Sequence, residues 1–521
     1  MTATVIIGAG HNGLTAAFYL ARAGLRPLVV ERQDTVGGGA VSAEIHPGFT
    51  CPRLSHEVLL ESHIARDMNL ERRGVDFLAV PARVCAPVVD GQAVTLFDEV
   101  ARCVESLRSI NVKDAEAYGR FRAAIDRAAE FIGSTFDTPP PDVDAPGTRD
   151  IWNLLKAGRR FRSLQRHDAY RLLRWVPMPV GDLLGEWFES DALKAMLAGP
   201  GVSGTMLGPR SAGSSLVLLL REASRLRAGG RSLRVRGGPG TLTRAMAAAA
   251  VEAGAEIRTN VKVEHILVRE GRVVGVVADG REIACSTVLS SIDPRATFLS
   301  LIHASEIDPD FATQARNYRA SGTVAKVNLA LASLPDFTGI SDVSRLSGRI
   351  HLGPDLDYLE RAFDHVKYGE VSEAPWLDIT IPSIVDTELA PAGAHVASIY
   401  VHNAPYGLRG SDWAMAKDML LNRTIGVLEG YAPGIRSQVV AAEVITPAQL
   451  QTDYGLSGGH IFHGELALDQ LFTMRPLLGH ASYRGPIRGL YLGGAGSHPG
   501  GFMTGASGRL AARAVLASTR P

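Results

Sequence analysis

Cysteine is scarce in this chain. Four occur in 521 residues (Cys51, Cys85, Cys103 and Cys285), and none belongs to a C-x-x-C pair. Redox-dithiol chemistry is excluded, and isolated thiols suit a reducing compartment. Metal-ligand spacing is missing too. His460 and His463 stand three apart in a glycine-rich stretch without a recognisable third ligand, so no metal is expected. Net charge is zero, with 54 Lys and Arg against 54 Asp and Glu, which points away from nucleic acid. No apolar run approaches the roughly 18 residues of a membrane-spanning helix. The first strand pattern begins at Thr4, leaving no space for a leader, and no targeting tail closes the chain. A cytoplasmic protein is the expectation.

Glycine, by contrast, is plentiful, at 55 residues, and its placement is informative. Thr4 to Ile7 reads as a short β-branched strand, followed by Gly8, Gly10 and Gly13 as G-x-G-x-x-G. Helix-period apolar residues then run to Gly24, and a second strand, Leu28 to Val30, ends in Glu31. Here the glycines allow a tight turn, backbone approach to a pyrophosphate and close helix–strand packing. The helix N-terminus offers free N–H donors, and Glu31 can accept from a ribose hydroxyl. Together, strand, loop, helix, strand and acid specify a dinucleotide site.

Five residues after Glu31 follow Gly37, Gly38 and Gly39. An acid, five residues and paired glycines resemble the extended fingerprint of flavoproteins in the amine oxidase and phytoene desaturase superfamily, which implies FAD rather than a nicotinamide cofactor. At the other end, Gly489 to Gly496 (GLYLGGAG) reads as a buried strand running into a glycine turn, and a helix pattern begins near Gly505. This segment resembles the C-terminal flavin motif of carotenoid desaturases, where the helix terminus stabilises negative charge on the reduced flavin. Two central pieces fit the same domain. Arg236-Gly-Gly-Pro-Gly leads into a helix and strands at Glu256 to Arg258 and Lys262 to Val268, and Val288 to Ile292 precedes Asp293-Pro294.

The resemblance runs nearly end to end. With Gly37 to Glu44, Gly458 to Glu465, Leu468 to Leu471, Arg475-Pro476 and His498 to Gly501, the chain resembles the pyridine nucleotide-disulfide oxidoreductase domain-containing flavoproteins of the phytoene desaturase branch. It implies an α/β fold: a discontinuous Rossmann-type FAD-binding domain (1–75, 230–299 and 451–521) with an α+β substrate-binding domain (76–229 and 300–450). The implied FAD contacts are Gly8, Gly10, Asn12, Gly13, Glu31, Arg32, Gly37, Gly38, Gly39, Ala40, Val263, Gly494, Ala495, Gly496, Met503, Thr504 and Gly505. Most amine oxidases carry Arg where Gly39 stands, so that contact is absent or supplied elsewhere.

Three residues are candidates for chemistry. Lys326 matches the strand lysine that amine oxidases place near flavin N5, against the plainer reading of a solvent-facing alternation. His463 lies in the branch-specific loop, and His56 follows Cys51-Pro52. The favoured activity is FAD-dependent desaturation of an apolar or amphipathic substrate, with oxygen or a quinone as electron acceptor. Amine oxidation is the runner-up, though it asks for an aromatic cage and only 6% of residues are aromatic. A reduced-flavin saturase or isomerase, and a non-catalytic FAD-bound scaffold, stay open, as does a homo-oligomer.

On the substrate side, a hairpin is expected from Val84 to Val89 and Ala93 to Phe97 around Asp90-Gly91. A second G-x-G-x-x-G, Gly199 to Gly204, follows no strand and reads as a turn between helices. Between Asp150 and Arg236, 15 Lys or Arg face 7 Asp or Glu. There Leu154, Phe161, Leu164, Leu172 and Trp175 fall at helical spacing among basic residues. This stripe over 154–175 is either a core face, an oligomer contact or a peripheral membrane contact.

Overall fold

The structure, a computed structural model, describes residues 4–89, 92–143 and 146–519. Both chain ends meet in one five-stranded parallel sheet. Its order is Leu490–Leu492, Thr287–Ser290, Thr4–Ile7, Leu28–Val30, Glu256–Arg258. Parallel sheets are covered on both faces, so their strands read as continuous apolar runs. Successive residues of Thr4–Ile7 accordingly enter different cores. Ile6 joins Val29 and Leu289 beneath the helices, while Val5 and Ile7 join Leu28, Val30 and Val288 on the other side.

The helices His11–Arg22 and Ala506–Thr519 lie together on the first face. Their approach is backbone against backbone. A Cβ built on Gly508 would lie 2.0 Å from the Asn12 carbonyl oxygen, and one on Gly13 would lie 2.1 Å from that of Gly8. Asn12 Oδ1 also accepts from the Gly508 N–H at 3.4 Å.

A seven-stranded, mainly antiparallel sheet forms the second unit, in the order Val439–Ile445, Val324–Leu331, His395–His402, Leu377–Thr380, Arg349–Leu352, Val84–Ala86, Val94–Leu96. The last two strands pair antiparallel, and the Asp90-Gly91 turn of the expected hairpin lies outside the described residues. One sheet face is apolar, built from Val327, Leu329, Ile350, Ile379 and Ile399. The alternate positions are polar, yet the whole Val324–Leu331 strand is buried. A helical layer, including Val112–Gly133, Asp191–Val202 and Ser214–Arg227, closes over the molecule around its own core.

Two sequence expectations change in this layer. Gly199 to Gly204 is a turn only at its end: the Asp191–Val202 helix continues through Pro200, and Ser203-Gly204 turn out of it. Gly201 is needed there for close packing, since a Cβ would meet the Ser214 carbonyl oxygen at 2.8 Å. The basic stripe divides as well. Phe161, Leu164, Leu172 and Trp175 pack on the helical core, leaving Leu154 outside. The apolar side chains left on the surface of Thr148–Ser163 are Ile151, Trp152, Leu154 and Leu155, with Trp152 73% exposed.

Gly508→Ala is expected to lower stability by about 1–3 kcal/mol, the usual cost of overpacking a rigid contact. Gly158→Ala, in an exposed helix with nothing within 4 Å of the added Cβ, should instead leave the melting temperature unchanged or raise it. Thermal melting of the two variants checks the pair.

Candidate active site

The glycine-rich segments converge where the parallel strands end. Gly8 follows Thr4–Ile7 with φ of +92°, which only glycine adopts without strain. Gly10 forms a bridge with Gly37, and the Gly37 N–H donates to the Ala9 carbonyl at 2.9 Å. The next glycine, Gly38, leaves 3.3 Å between its missing Cβ and Gly10 Cα. Two loops thus face each other with no side chain between them. The His11–Arg22 helix opens on this gap with Gly10 as its N-cap, no side-chain cap and no acid in its first turn. Uncapped N–H donors beside a glycine-lined gap fit a dinucleotide pyrophosphate.

Glu31 is buried at the second strand's end and ties this loop down. Its Oε2 accepts from the Ala9 N–H at 2.8 Å and its Oε1 from the Gln33 N–H at 2.9 Å. The adenosine end is shaped by the same residue, because the Glu31 carbonyl accepts from Val261, two residues before Val263. From the other chain end come Gly494, Ala495 and Gly496. A Cβ on Gly494 would collide with the Ser291 carbonyl at 2.5 Å, and one on Gly496 with the Pro294 ring at 2.4 Å. Thr504 Oγ1 accepts from the Ala506 N–H and so caps the terminal helix at its first turn.

The remaining expected contacts separate. Ala40 is buried beside the loop, its carbonyl accepting from Thr243 Oγ1 at 3.0 Å. Gly39 has open space at its Cβ. Met503 is buried in the core beneath the sheet, and Gly505 packs against Thr15 and Leu60. Arg32 turns away: its exposed guanidinium donates to the carbonyls of Thr452 and Asp453.

Two of the three candidate side chains for chemistry meet, although 270 positions apart. Lys326 Nζ lies 3.1 Å from His56 Nδ1, donates to Ser398 Oγ at 2.6 Å, and sits 4.3 Å from the centre of the Tyr400 ring. Burial, with no carboxylate in contact, pushes the ammonium down to about 7. Burial, then the charges of Lys326 and Arg234, lowers His56 well below the ordinary imidazole value. His56 Nε2 is buried and has no hydrogen-bond partner among the described residues.

These residues belong to the polar face of the antiparallel sheet. Register places Lys326 beside Tyr400, Tyr400 beside Asp378, and Asp378 beside His351. The next row is Asn328, Ser398, Thr380 and Arg349. Asp378 Oδ1, Thr380 Oγ1 and His402 Nε2 are further buried atoms without a partner among the described residues. Buried polar groups are normally satisfied, so these atoms face ordered water or a ligand.

His463 lies apart from this pair. It occupies the left-handed region at φ 57°, and its carbonyl accepts from Tyr318 Oη at 2.9 Å. Burial, then Arg475 and His460, lowers its pKa to about 4. It in turn depresses that of His11, at the helix opening on the glycine gap, which burial chiefly lowers to about 3. His463 therefore belongs with the dinucleotide loops. The neighbouring His460 contacts Glu465 Oε2 at 3.3 Å.

Arg475 is the residue whose role the sequence did not disclose. It is fully buried, and its guanidinium donates to the carbonyls of Phe462, Glu465 and Ala495, each at 2.9 Å. It thereby sews the His463 loop to the C-terminal glycine motif. An Arg-Pro pair in a loop carries no periodicity that would reveal this.

Because Glu31 holds both Ala9 and Gln33, Glu31→Gln should keep the fold but weaken dinucleotide binding by about tenfold, one charge-assisted hydrogen bond being worth about 1.5–3 kcal/mol. Retention of the yellow cofactor through ultrafiltration, followed by its absorbance, measures this.

Comparison with known proteins agrees with the geometry. Residues 3–380 match the family described as FAD dependent oxidoreductase. The chain is 36% identical to pyridine nucleotide-disulfide oxidoreductase domain-containing protein 2 of Rattus norvegicus, over 98% of this chain and 93% of that one. It is 25% identical to the lycopene-forming phytoene desaturase of Pantoea ananas, over 99% of both chains. Among solved structures, an oxidoreductase from Methanosarcina mazei superposes with a TM-score of 0.62 at 16% identity, covering 99% of this chain and all of that one. Putrescine oxidase bound to putrescine gives 0.60 at 16% identity, covering 99% and 98%; both show a shared fold. The chain is a member of the FAD dependent oxidoreductase family, an enzyme that binds FAD, on the branch of pyridine nucleotide-disulfide oxidoreductase domain-containing protein 2.

Proposed function

We propose that this FAD-dependent oxidoreductase dehydrogenates an apolar or amphipathic substrate, a hydride leaving one carbon and a proton leaving its neighbour. FAD, when bound, supplies the two-electron acceptor for that hydride at N5. The protein's own contribution is the proton acceptor. The reading rests on one observation: an amine and an imidazole buried together, the imidazole held uncharged and the amine brought down to titrate near neutral pH. His56 Nε2, buried and without a partner among the described residues, takes the proton. Its Nδ1–H donates to the lone pair of neutral Lys326 Nζ, which passes charge into a pocket already hydrogen-bonded to Ser398. Tyr400, tilted against the His56 ring at 4.3 Å, fixes the imidazole plane.

A second reading, oxidation of an amine, draws on the aromatic wall beside this pair. Tyr400 is joined there by Trp376, stacked on His402 at 3.6 Å. Anaerobic mixing of the holoenzyme with alkenes, acyl compounds and amines separates the two by which class bleaches the flavin band.

The surface of Thr148–Ser163 suits a lipophilic substrate's route. We propose that Ile151, Trp152, Leu154 and Leu155 rest on an anionic membrane. Lys156, Arg159 and Arg162, exposed and without an ion pair among the described residues, face the headgroups. Sedimentation with phosphatidylglycerol vesicles should pull the protein down at low salt. Phosphatidylcholine alone should not, and Trp152→Glu should abolish binding; equal binding to both lipids would remove the proposal.

For the base, the sign is set by the lowered amine. Below about pH 7 Lys326 is protonated and cannot receive the proton through His56; above it the amine is free. The rate of flavin reduction should rise through about pH 7. Lys326→Met should slow it by about 10²–10⁴-fold, the usual worth of a positioned base, and erase that limb. Stability moves differently. The unfolded amine keeps its proton up to its ordinary value of 10.5 while the folded one loses it near 7. Wild type therefore gains stability relative to Lys326→Met as pH rises between the two. A variant that lost stability but kept the pH limb would contradict the assignment.

A further inference from the structure

A cleft opens beside His56, and its charge is unbalanced. It is lined by six guanidinium groups, those of Arg83, Arg221, Arg225, Arg231, Arg234 and Arg349, against two carboxylates, Glu57 and Glu222. Most of the six are neutralised. Glu222 takes Arg83 and Arg225, the latter at 2.8 Å, together with Arg122 from outside the cleft at 2.7 Å. Arg225 also reaches Asp126 at 3.4 Å. Glu57 takes Arg221, and Asp378 lies 3.3 Å from Arg349.

Arg231 and Arg234 are left without a carboxylate partner among the described residues. Arg234 is held in place by backbone alone. Its Nη1 donates to the His56 carbonyl at 3.0 Å and its Nη2 to the Gly348 carbonyl at 2.9 Å, while its buried Nε has no partner. Carbonyl dipoles orient a guanidinium without cancelling its charge. Glu57 and Asp378 act on Arg234 only from beyond ion-pair distance, and a buried cation held this way is better compensated when an anion is seated against it. A neighbouring cleft shares Val58, Arg231 and Leu233 with the first and continues outward along Leu60, Leu70 and Phe77. A cleft whose floor is apolar and whose rim carries Arg66, Arg72 and Glu71 therefore adjoins an anion-seeking chamber beside His56.

We propose that this chamber is a substrate-recognition subsite for an anionic head, carboxylate or phosphate, of an amphipathic molecule whose apolar tail lies along Val58, Leu60, Leu70 and Phe77. The proposal deepens the dehydrogenase reading and rests on it for the word substrate; the anion site itself stands on the cleft alone. It also assigns a polarity to the ligand that the apolar motifs of the chain did not suggest. A cationic amine is disfavoured, because its charge would add to that of the Arg234 guanidinium.

The test is equilibrium binding without turnover. Oxidised holoenzyme is titrated anaerobically with decanoate, decyl phosphate, decanol, decylamine and inorganic phosphate, following the flavin difference spectrum and the melting temperature. Decanoate or decyl phosphate should bind saturably and about tenfold or more tighter than decanol, the step expected of a charge-assisted contact. Decylamine should bind no tighter than decanol. Inorganic phosphate binding as well as decyl phosphate would show a free-anion site and remove the apolar arm. Arg234→Met should lower anion affinity about tenfold and leave decanol unaffected, with Arg234→Lys retaining part of it. Arg231→Met, at an exposed position, gives the same reading should Arg234→Met not fold. Equal affinity for decanol and both anions, tightest binding by decylamine, or unchanged anion affinity in Arg231→Met and Arg234→Met would each overturn the subsite. Anion binding without bleaching by any candidate would leave the subsite and sink the dehydrogenase reading, and bleaching by neutral compounds alone would do the reverse.

Discussion

Everything at this site depends on the contact between the first helix and the last. With only a hydrogen atom at Gly508, two helices 496 positions apart in sequence settle backbone to backbone on one sheet, and Asn12 Oδ1 accepts from the Gly508 N–H. That contact sets the level of two glycine loops at once: one follows the first strand, the other follows the last. A methyl group at Gly508 would push the two helices apart, and one at Gly13 would drive the first helix off the Gly8 loop. The cofactor is therefore gripped by chain ends that local structure alone would never bring together. Its binding should be coupled to the folding of the whole polypeptide rather than of one segment.

A second constraint comes from the antiparallel sheet. Burying both faces of a sheet normally makes both apolar, yet here alternate residues of four strands present Lys326, Tyr400, Asp378 and His351 to the interior. The apolar partners Val327, Ile399, Ile379 and Ile350 supply the core that holds the strands in register. Shifting any strand by one residue would exchange the two sets, exposing a carboxylate and an amine to the core and apolar groups to the cavity. Register is thereby specified twice, once by each face, and the polar row can be kept rigid without internal salt bridges at every position.

What was legible in the sequence follows from the range over which each constraint acts. The glycines of the first loop, Glu31 and the terminal motif answer to local backbone geometry, so spacing alone revealed them. Lys326 and His56 were visible only through resemblance, since nothing in their neighbourhoods records that they meet at 3.1 Å. The alternation of Lys326 and Asn328, or of Ser398, Tyr400 and His402, is the pattern of a solvent-facing strand. It misleads because water here is replaced by a ligand cavity, and a period of two reports polarity without saying which. The stripe from Phe161 to Trp175 shows the opposite case, an apolar face that turned inward while different residues, Ile151, Trp152 and Leu155, stayed outside. Arg475 was visible only as part of a matching Arg-Pro pair and its role not at all, because a cation that bonds only to carbonyls has no charged partner to be found in sequence.

The basic cleft and the neutral base pair are one electrostatic system. Burial is the main cause of the low pKa of both Lys326 and His56, but the positive charge of Arg234 acts on each in the same direction. With no anion bound, the cleft therefore keeps the pair deprotonated and weakly basic. An anion seated against Arg234 would cancel that contribution and raise the proton affinity of His56 and Lys326 together, since a pKa answers to the net charge around it. The pH limb set by Lys326 would then move upward when an anionic substrate binds and back when the product leaves. In that arrangement the uncompensated guanidinium serves recognition and basicity through the same charge, which accounts for its being held by carbonyls rather than by an acid: a carboxylate in place of the His56 and Gly348 oxygens would satisfy Arg234 permanently and disconnect the two.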